Sequence, residues 1–153
     1  MIVQFNVPCI PIAQPRQRHR VIHSGDRVFA TNYTPKTDPV NAFKASVRVA
    51  ARNAYEGPPL EGPLWVDVIF VMPRPARLIW KKKPMPRLPF DRKPDADNIF
   101  KAFSDCLNQL LWCDDSQIVH VTILKVYASG SETAHVEAKV GQYEVSDQDH
   151  GHS

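Results

Sequence analysis

A chain of 153 residues in which 43% are hydrophobic and 23% are charged has the composition of a single globular domain. A domain of this size needs no disulfide bonds for its core, and no apolar run approaches the roughly 18 residues of a membrane span. The formal net charge of +3 is too small to identify a binding partner. Cys9, Cys106 and Cys113 lack CxxC spacing and no secretory signal precedes them, so we expect reduced thiols and a cytoplasmic protein.

The first third of the chain predicts a strand, a hairpin and a helix. The alternating, β-rich residues 2–7 predict a strand. Residues 21–23 and 27–30 are two short β-rich runs around a Ser-Gly-Asp turn, which predicts a hairpin. Residues 39–55 carry apolar side chains at helical spacing, which predicts a helix with Asp38 as its N-cap.

The remainder predicts three further strands and a second helix. Residues 64–72, with the sequence LWVDVIFVM, predict a strongly apolar strand. A proline-rich basic loop at 73–94 is followed by a helical pattern over residues 97–112. Residues 117–127 and 133–140 predict two strands, which we expect to pair through the turn between them.

The order of these elements indicates an α+β fold. We expect one small domain over residues 1–143, with a mixed or antiparallel sheet and two main helices. The polar residues 144–153 predict a flexible C-terminal tail.

Aspartates are concentrated on either side of the second predicted helix. Asp95 and Asp97 stand at its beginning, and the pair Asp114-Asp115 follows it. At 3.6 residues per turn, Asp97, Lys101 and Asp105 lie on one face. The apolar residues expected on the opposite face are Phe100, Phe103, Leu107, Leu110 and Leu111. The two acidic pairs can meet only if the chain doubles back after the helix, which the sequence does not establish.

Three carboxylates and a lysine are a common minimum set for hydrolysis of a phosphodiester. Hard oxygen ligands hold Mg²⁺, which neutralises phosphate charge and lowers the pKa of bound water. A lysine can stabilise the charge that develops on the phosphate in the transition state. Thiolates and histidines at zinc spacing are absent from the sequence, which disfavours a zinc site.

Each of these residues also has a structural explanation. Asp95 or Asp97 could be a helix N-cap, contributing about 1 kcal/mol. Lys101 could form two ion pairs along the helix, each contributing about 0.3–0.5 kcal/mol. For Asp105, the ion pair with Lys101 is a sufficient explanation. Asp114-Asp115 could be turn residues before a strand.

Basic residues are concentrated in the loop at 73–94, which holds eight Lys or Arg residues and one acid, Asp91. Such a loop next to an acidic site could contact phosphates on either side of the scissile bond. The alternative is a solvated loop with no partner. The residues that we predict to bind DNA are Arg74, Arg77, Lys81, Lys82, Lys83, Arg87, Arg92 and Lys93, with a second basic patch at Arg16, Arg18 and Arg20.

Three segments carry a resemblance to a known family: KPDADNIFK from Lys93 to Lys101, DCLN from Asp105, and DDSQI from Asp114, followed by Lys125. Their order and spacing resemble the RusA family of Holliday-junction resolvases. The resemblance covers about a third of the chain closely. A non-catalytic branched-DNA-binding module that uses the basic loop is the alternative function.

The resemblance implies a function, a metal and a site. It implies an endonuclease that resolves four-way junctions by paired symmetric nicks, acting as a homodimer in recombination and repair in a bacterial or phage-infected cell. The metal ligands would be Asp95, Asp97 and Asp115, and Lys101 would be the catalytic lysine. The cofactor would be Mg²⁺, for which Mn²⁺ could substitute. Cleavage sequence, a role for Asp114 and the subunit in which Lys101 acts stay open.

Overall fold

In the computed structural model of the chain, residues 1–15, 18–24, 27–33, 37–80 and 85–145 are described, the backbone alone for 18–24 and 27–33. Within these residues the strands are β1 (Ile2–Val7), β2 (Arg18–Ser24), β3 (Arg27–Tyr33), β4 (Leu64–Met72), β5 (Leu88–Pro89), β6 (Ile118–Tyr127) and β7 (His135–Gln142). The helices are α1 (Pro39–Ala54) and α2 (Ala96–Asp105), with short 3-10 turns at Ala76–Leu78 and Asp115–Gln117.

One mixed sheet organises the domain, with the strand order β1-β7-β4-β6-β5. The central strand β4 is parallel to β6 and antiparallel to β7, and both edge strands, β1 and β5, pair antiparallel to their neighbours. Strands β2 and β3 form a separate antiparallel hairpin. This arrangement confirms the predicted α+β fold with a mixed sheet and two helices.

The hydrophobic core lies between the two helices and one face of the sheet. Alternate side chains of β1 and β4 point into it and are buried, and so are the apolar faces of α1 and α2. The largest buried side chains include Trp112, Phe70 and Phe103. The opposite face of the sheet is largely open, because Asp67, Thr122 and Lys139 on it are exposed. None of the helices in the described residues is long and apolar enough to cross a membrane.

The first helix forms as its sequence predicts. The Asp38 side chain accepts a hydrogen bond from the backbone N–H of Val40 at 2.9 Å, so it caps one of the helix's unpaired donors. Val40, Phe43 and Val47 are buried at helical spacing. Strand β1 and strand β4 also have the predicted bounds, and the hairpin β2-β3 has the predicted pairing with longer strands.

The second helix is shorter than predicted, because it ends at Asp105 rather than near residue 112. The reason is tertiary. Trp112 is fully buried, and its indole N–H donates to the Asn108 Oδ1 at 2.8 Å. The chain nevertheless turns between these residues, because Gln109 has a φ of 69° and the Leu111 carbonyl accepts from the Leu60 N–H, outside the helix, at 2.8 Å. Arg48 of α1 donates to the free carbonyl of Cys106 at 3.1 Å, which satisfies the end of the helix.

The predicted pairing of the last two strands is wrong, because β4 lies between β6 and β7. Apart from the exposed Asp67, strand β4 is apolar on both faces, which is typical of a central strand of a sheet. Its Val68 lies opposite Ile123 on one side and Ala138 on the other. The connection from β6 to β7 therefore crosses the carboxyl end of β4, where the Ala128 N–H donates to the Met72 carbonyl at 2.8 Å.

The basic loop at 73–94 contains more structure than its prolines suggest. It includes the 3-10 turn at Ala76–Leu78 and the two-residue edge strand β5, and its Lys93-Pro94 peptide bond is cis. Residues 81–84 lie outside the described residues. So does most of the predicted tail, of which 144–145 are described and exposed, and the division into a domain and a tail stays a prediction.

Candidate functional site

The amino end of α2 carries the first two candidate metal ligands. Asp95 is the N-cap residue, but its side chain makes no capping hydrogen bond, so the N-cap explanation does not account for its carboxylate. Asp97 lies in the first turn, and one of its carboxylate oxygens accepts from the Asn98 N–H at 3.0 Å. Both residues are exposed, while Ile99, two residues further on, is fully buried and anchors the helix to the core.

Lys101 is exposed one helical turn after Asp97. No salt bridge within 4.0 Å joins it to Asp97 or Asp105 among the described residues, whose ion pairs all involve Glu132 or Glu137. The two ion pairs that could have explained Lys101 are therefore not formed, and the ion-pair explanation for the half-buried Asp105 is wrong. The lysine ammonium is thus not committed to a carboxylate on its own helix.

The two residues of the second acidic pair, Asp114 and Asp115, make different contacts. The Asp114 side chain accepts from the Ser116 N–H at 3.3 Å and forms a capping box with Gln117. Hydrogen bonds from Ser116 lower the pKa of the Asp114 carboxyl below its ordinary value. The half-buried Asp115 is the first residue of the 3-10 turn and takes no part in that box. The structure therefore gives Asp114 a structural role and leaves Asp115 as the better candidate ligand.

The structure does not bring Asp115 together with Asp95 and Asp97 within one chain. In the described part of the chain, the acidic and histidine side chains with ligand atoms within 4.8 Å of one another form one group of three, which contains none of these aspartates. The Lys125 Nζ donates to the Pro94 carbonyl, so Asp95 follows a residue near the carboxyl end of β6. Asp115 precedes the amino end of the same strand. From Ile118 to Lys125 the strand rises roughly 23 Å, at about 3.3 Å per residue.

Three of the predicted DNA-binding arginines, Arg74, Arg77 and Arg87, form hydrogen bonds within the chain. Arg74 donates to the carbonyls of Leu78 and Pro86, each at 2.7 Å, and its guanidinium lies 5.1 Å from the centre of the Trp80 ring. Arg77 lies 3.2 Å from the Tyr127 hydroxyl oxygen, to which its guanidinium donates. These contacts hold the basic loop against the sheet. Arg74 and Arg77 therefore have a structural role, and DNA binding by them would be an additional one.

The remaining predicted DNA-binding residues fall into two groups. Arg92 and Lys93 are exposed directly before Asp95, so their charges are available beside the acidic pair. Lys81, Lys82 and Lys83 lie outside the described residues, as does Arg16, and only the backbone of Arg18 and Arg20 is described. Binding by this second group stays a prediction.

Sequence reasoning missed a charged network on the open face of the sheet. Arg87 donates to Glu132, at 3.0 Å from Nε to Oε1, and also to Glu137, and the His135 Nε2 lies 2.8 Å from the Glu137 Oε2. The Arg87 hydrogen bond lowers the pKa of Glu132 to about 2. The ligand atoms of Glu132, His135 and Glu137 lie within 4.8 Å of one another, as a metal site requires, but Arg87 already supplies their positive charge. The sequence feature that could have revealed this network is the close spacing of Glu132, His135 and Glu137 along the chain.

Two comparisons with known proteins identify the family of the chain. The family profile described as "Endodeoxyribonuclease RusA" matches residues 8–140, which is most of the chain. The chain is also 30% identical over 145 residues to the uncharacterized protein YqaN of Bacillus subtilis (strain 168), an alignment that covers 90% of this chain and 94% of that relative. The family match includes α2 and both acidic pairs.

Proposed function

Because the chain belongs to the RusA endodeoxyribonuclease family, we propose that it is a Mg²⁺-dependent endonuclease that resolves four-way DNA junctions by paired symmetric nicks. We place this activity in recombination and repair in the cytoplasm of a bacterial or phage-infected cell. The observation that carries the proposal is the amino end of α2. There Asp95 and Asp97 are exposed, and no lysine, arginine or histidine of the described residues lies within 4.0 Å of their carboxylates.

The donor set at this site fits a hard divalent cation. Asp95 and Asp97 offer carboxylate oxygens without a counter-charge, and the surrounding KPDADNIFK segment contains no cysteine or histidine that would favour zinc. When bound, Mg²⁺ supplies a Lewis acid for the scissile phosphate and lowers the pKa of the attacking water. Asp95, Asp97 and Asp115 would hold it.

The chain's own residues supply the remaining electrostatics. Lys101 lies four residues after Asp97, a rise of about 6 Å along the helix, and its uncommitted ammonium can stabilise negative charge as it develops on the phosphate. The positive end of the helix dipole at the amino end of α2 favours a phosphate at the same end. The exposed Arg92 and Lys93 can hold the backbone next to the scissile bond.

A homodimer accounts for the position of Asp115. A four-way junction has two-fold symmetry, and a two-fold dimer places one site on each of two strands. Since Asp115 lies at the other end of β6 from Asp95, we propose that the partner subunit's Asp115 completes each site. The dimer would have about twice the 17.3 kDa mass of the chain. Light scattering at micromolar concentration measures this mass, and a monomer that makes paired nicks would contradict the proposal.

A synthetic four-way junction with each strand labelled in turn tests the activity. We expect symmetric nicks in opposing strands with Mg²⁺ and intact DNA without it. Asp115→Asn should abolish cleavage and keep junction binding, while Asp114→Asn should retain cleavage because asparagine can cap the same turn. Binding without cleavage under every metal condition would instead support the non-catalytic module.

Mixing two inactive variants tests the shared site. If the partner's Asp115 completes the site, a mixed dimer of Asp97→Asn and Asp115→Asn subunits has one site that carries both substitutions and one that carries neither. We therefore expect single nicks from the mixture and none from either variant alone. A mixture that is inactive although subunits exchange would place Asp115 in the same subunit as Asp97.

A further inference from the structure

The side chain of Lys125 reaches from the sheet to the segment that precedes Asp95. Lys125 is half-buried near the carboxyl end of β6. Its Nζ donates to the carbonyl of Arg92 at 2.9 Å and to that of Pro94 at 2.7 Å. Two of the three ammonium N–H groups are therefore used on backbone carbonyls within three residues of Asp95. Charge-assisted hydrogen bonds of this kind are stronger than those between neutral groups.

Phe90, in the same segment, also contacts Lys125 through its backbone and its ring. The Phe90 N–H donates to the Lys125 carbonyl at 3.1 Å, and the Lys125 Nζ lies 5.1 Å from the centre of the Phe90 ring. Phe90 in turn packs against Tyr127, with their ring centres 4.8 Å apart. Residues 90–94 thus wrap around a single lysine side chain before the chain enters α2.

We infer that Lys125 is a positioning residue that fixes Asp95 and Asp97 for metal binding. Between β5 and α2 the backbone has no regular secondary structure, so hydrogen bonds from elsewhere must set its path. Metal ligands have to be held within about 0.5 Å of the productive geometry, and outer-shell partners that orient them contribute about 10–100-fold to metal affinity. The inference rests on the proposed function, since the metal site belongs to that proposal.

The direction in which metal affinity changes when Lys125 is replaced distinguishes a positioning role from a purely electrostatic one. The positive charge of Lys125 repels a cation bound at Asp95 and Asp97. Removal of that charge alone would therefore tighten the binding of the cation. Loss of the two hydrogen bonds would instead loosen the segment before Asp95 and weaken cation binding. The inference therefore requires a weaker metal affinity after the charge is removed.

The experiment compares three variants of the 153-residue chain with the wild type. Lys125→Met removes the donors and keeps an unbranched chain of similar length, Lys125→Arg keeps a charged donor, and Lys139→Met removes an exposed lysine of β7. The probe is Mn²⁺, with the free ion measured by electron paramagnetic resonance. Junction binding in Ca²⁺ and the Mg²⁺ concentration for half-maximal cleavage are measured in parallel, and circular dichroism checks the fold.

We expect Lys125→Met to weaken Mn²⁺ binding by about 10–100-fold and to raise the half-maximal Mg²⁺ concentration by a similar factor. Lys125→Arg should recover most of the affinity, Lys139→Met should match the wild type, and junction binding in Ca²⁺ should change by less than about threefold. Unchanged or tighter Mn²⁺ binding by Lys125→Met would overturn the inference. If that variant does not fold, Lys125→Gln is judged by the same criterion.

The readouts also distinguish this inference from the proposed function. Wild-type protein that binds Mn²⁺ without cutting any DNA, with the affinity lost in Lys125→Met, would support the positioning role and contradict the nuclease. Cleavage by Lys125→Met with wild-type metal dependence would support the nuclease and overturn the positioning role. Absence of Mn²⁺ binding by the wild type would overturn both.

Discussion

The hydrogen bond between Asn108 and Trp112 makes a testable contribution to the stability of the segment that joins α2 to Asp115. Trp112 is fully buried, and its indole N–H donates to the Asn108 Oδ1 at 2.8 Å. In Asn108→Ala the tryptophan would stay buried and its N–H would lose that acceptor. An unsatisfied buried donor costs about 1–3 kcal/mol in free energy of unfolding. For a domain of this size that corresponds to a fall in Tm of roughly 2–12 °C, at about 2–4 °C per kcal/mol.

Urea unfolding followed by tryptophan fluorescence measures this cost, with Asn108→Asp as the matched control. Aspartate keeps an oxygen at the Oδ1 position, so we expect the control to lie closer to the wild type than Asn108→Ala. The half-buried Asn108 belongs to the DCLN segment of the family resemblance, and its contact with Trp112 gives that position a structural reason. A loss below about 0.5 kcal/mol in Asn108→Ala, the range of ordinary surface substitutions, would refute the reasoning.

Three further predictions concern charge. Lys101→Ala should lower the single-turnover rate of cleavage more than it weakens junction binding, because its charge is needed most in the transition state; an unchanged rate with weaker binding would assign it to substrate binding. Changing Lys81, Lys82 and Lys83 together to Ala should weaken junction binding in Ca²⁺ and flatten its salt dependence by nearly one unit of slope per lost phosphate contact; lines of equal slope would show that these lysines do not touch DNA. Arg87→Met should destabilise the protein most at neutral pH. Because Arg87 lowers the pKa of Glu132 from 4.5 to about 2, its contribution is present above pH 4.5 and is lost as the pH falls towards 2. A difference in unfolding free energy that stays constant from pH 7 to pH 2 would contradict this.

Local sequence pattern predicted the elements whose interactions are local. Helix α1 has its predicted cap at Asp38, and β4 has the predicted bounds Leu64–Met72, because periodicity and capping depend on neighbouring residues. The end of α2 at Asp105 could not be predicted from local sequence pattern. Residues 106–112 continue the helical pattern, but their carbonyls accept hydrogen bonds from outside the helix, Cys106 from Arg48 and Leu111 from Leu60.

Pairing and site geometry depended on contacts distant in sequence. The strands β6 and β7 follow each other in the chain, but β4 separates them because its sequence, apolar except for Asp67, favours the centre of the sheet. The acidic residues were visible in the sequence, whereas the separation of Asp115 from Asp95 follows from the path of α2 along the sheet. The hydrogen bonds of Lys125 to the Arg92 and Pro94 carbonyls join residues more than 30 positions apart, and no local spacing predicts them.

Cleavage of a four-way junction, compared with a linear duplex containing one arm's sequence, tests the central claim most directly. We predict that the wild type cuts the junction only with Mg²⁺ and leaves the duplex intact. Asp97→Asn should bind the junction without cutting it. Asp105→Asn, whose substitution lies about 12 Å further along the same helix, should cut at a rate close to that of the wild type. Equal cleavage of junction and duplex, or cleavage that persists in Asp97→Asn, would contradict the account.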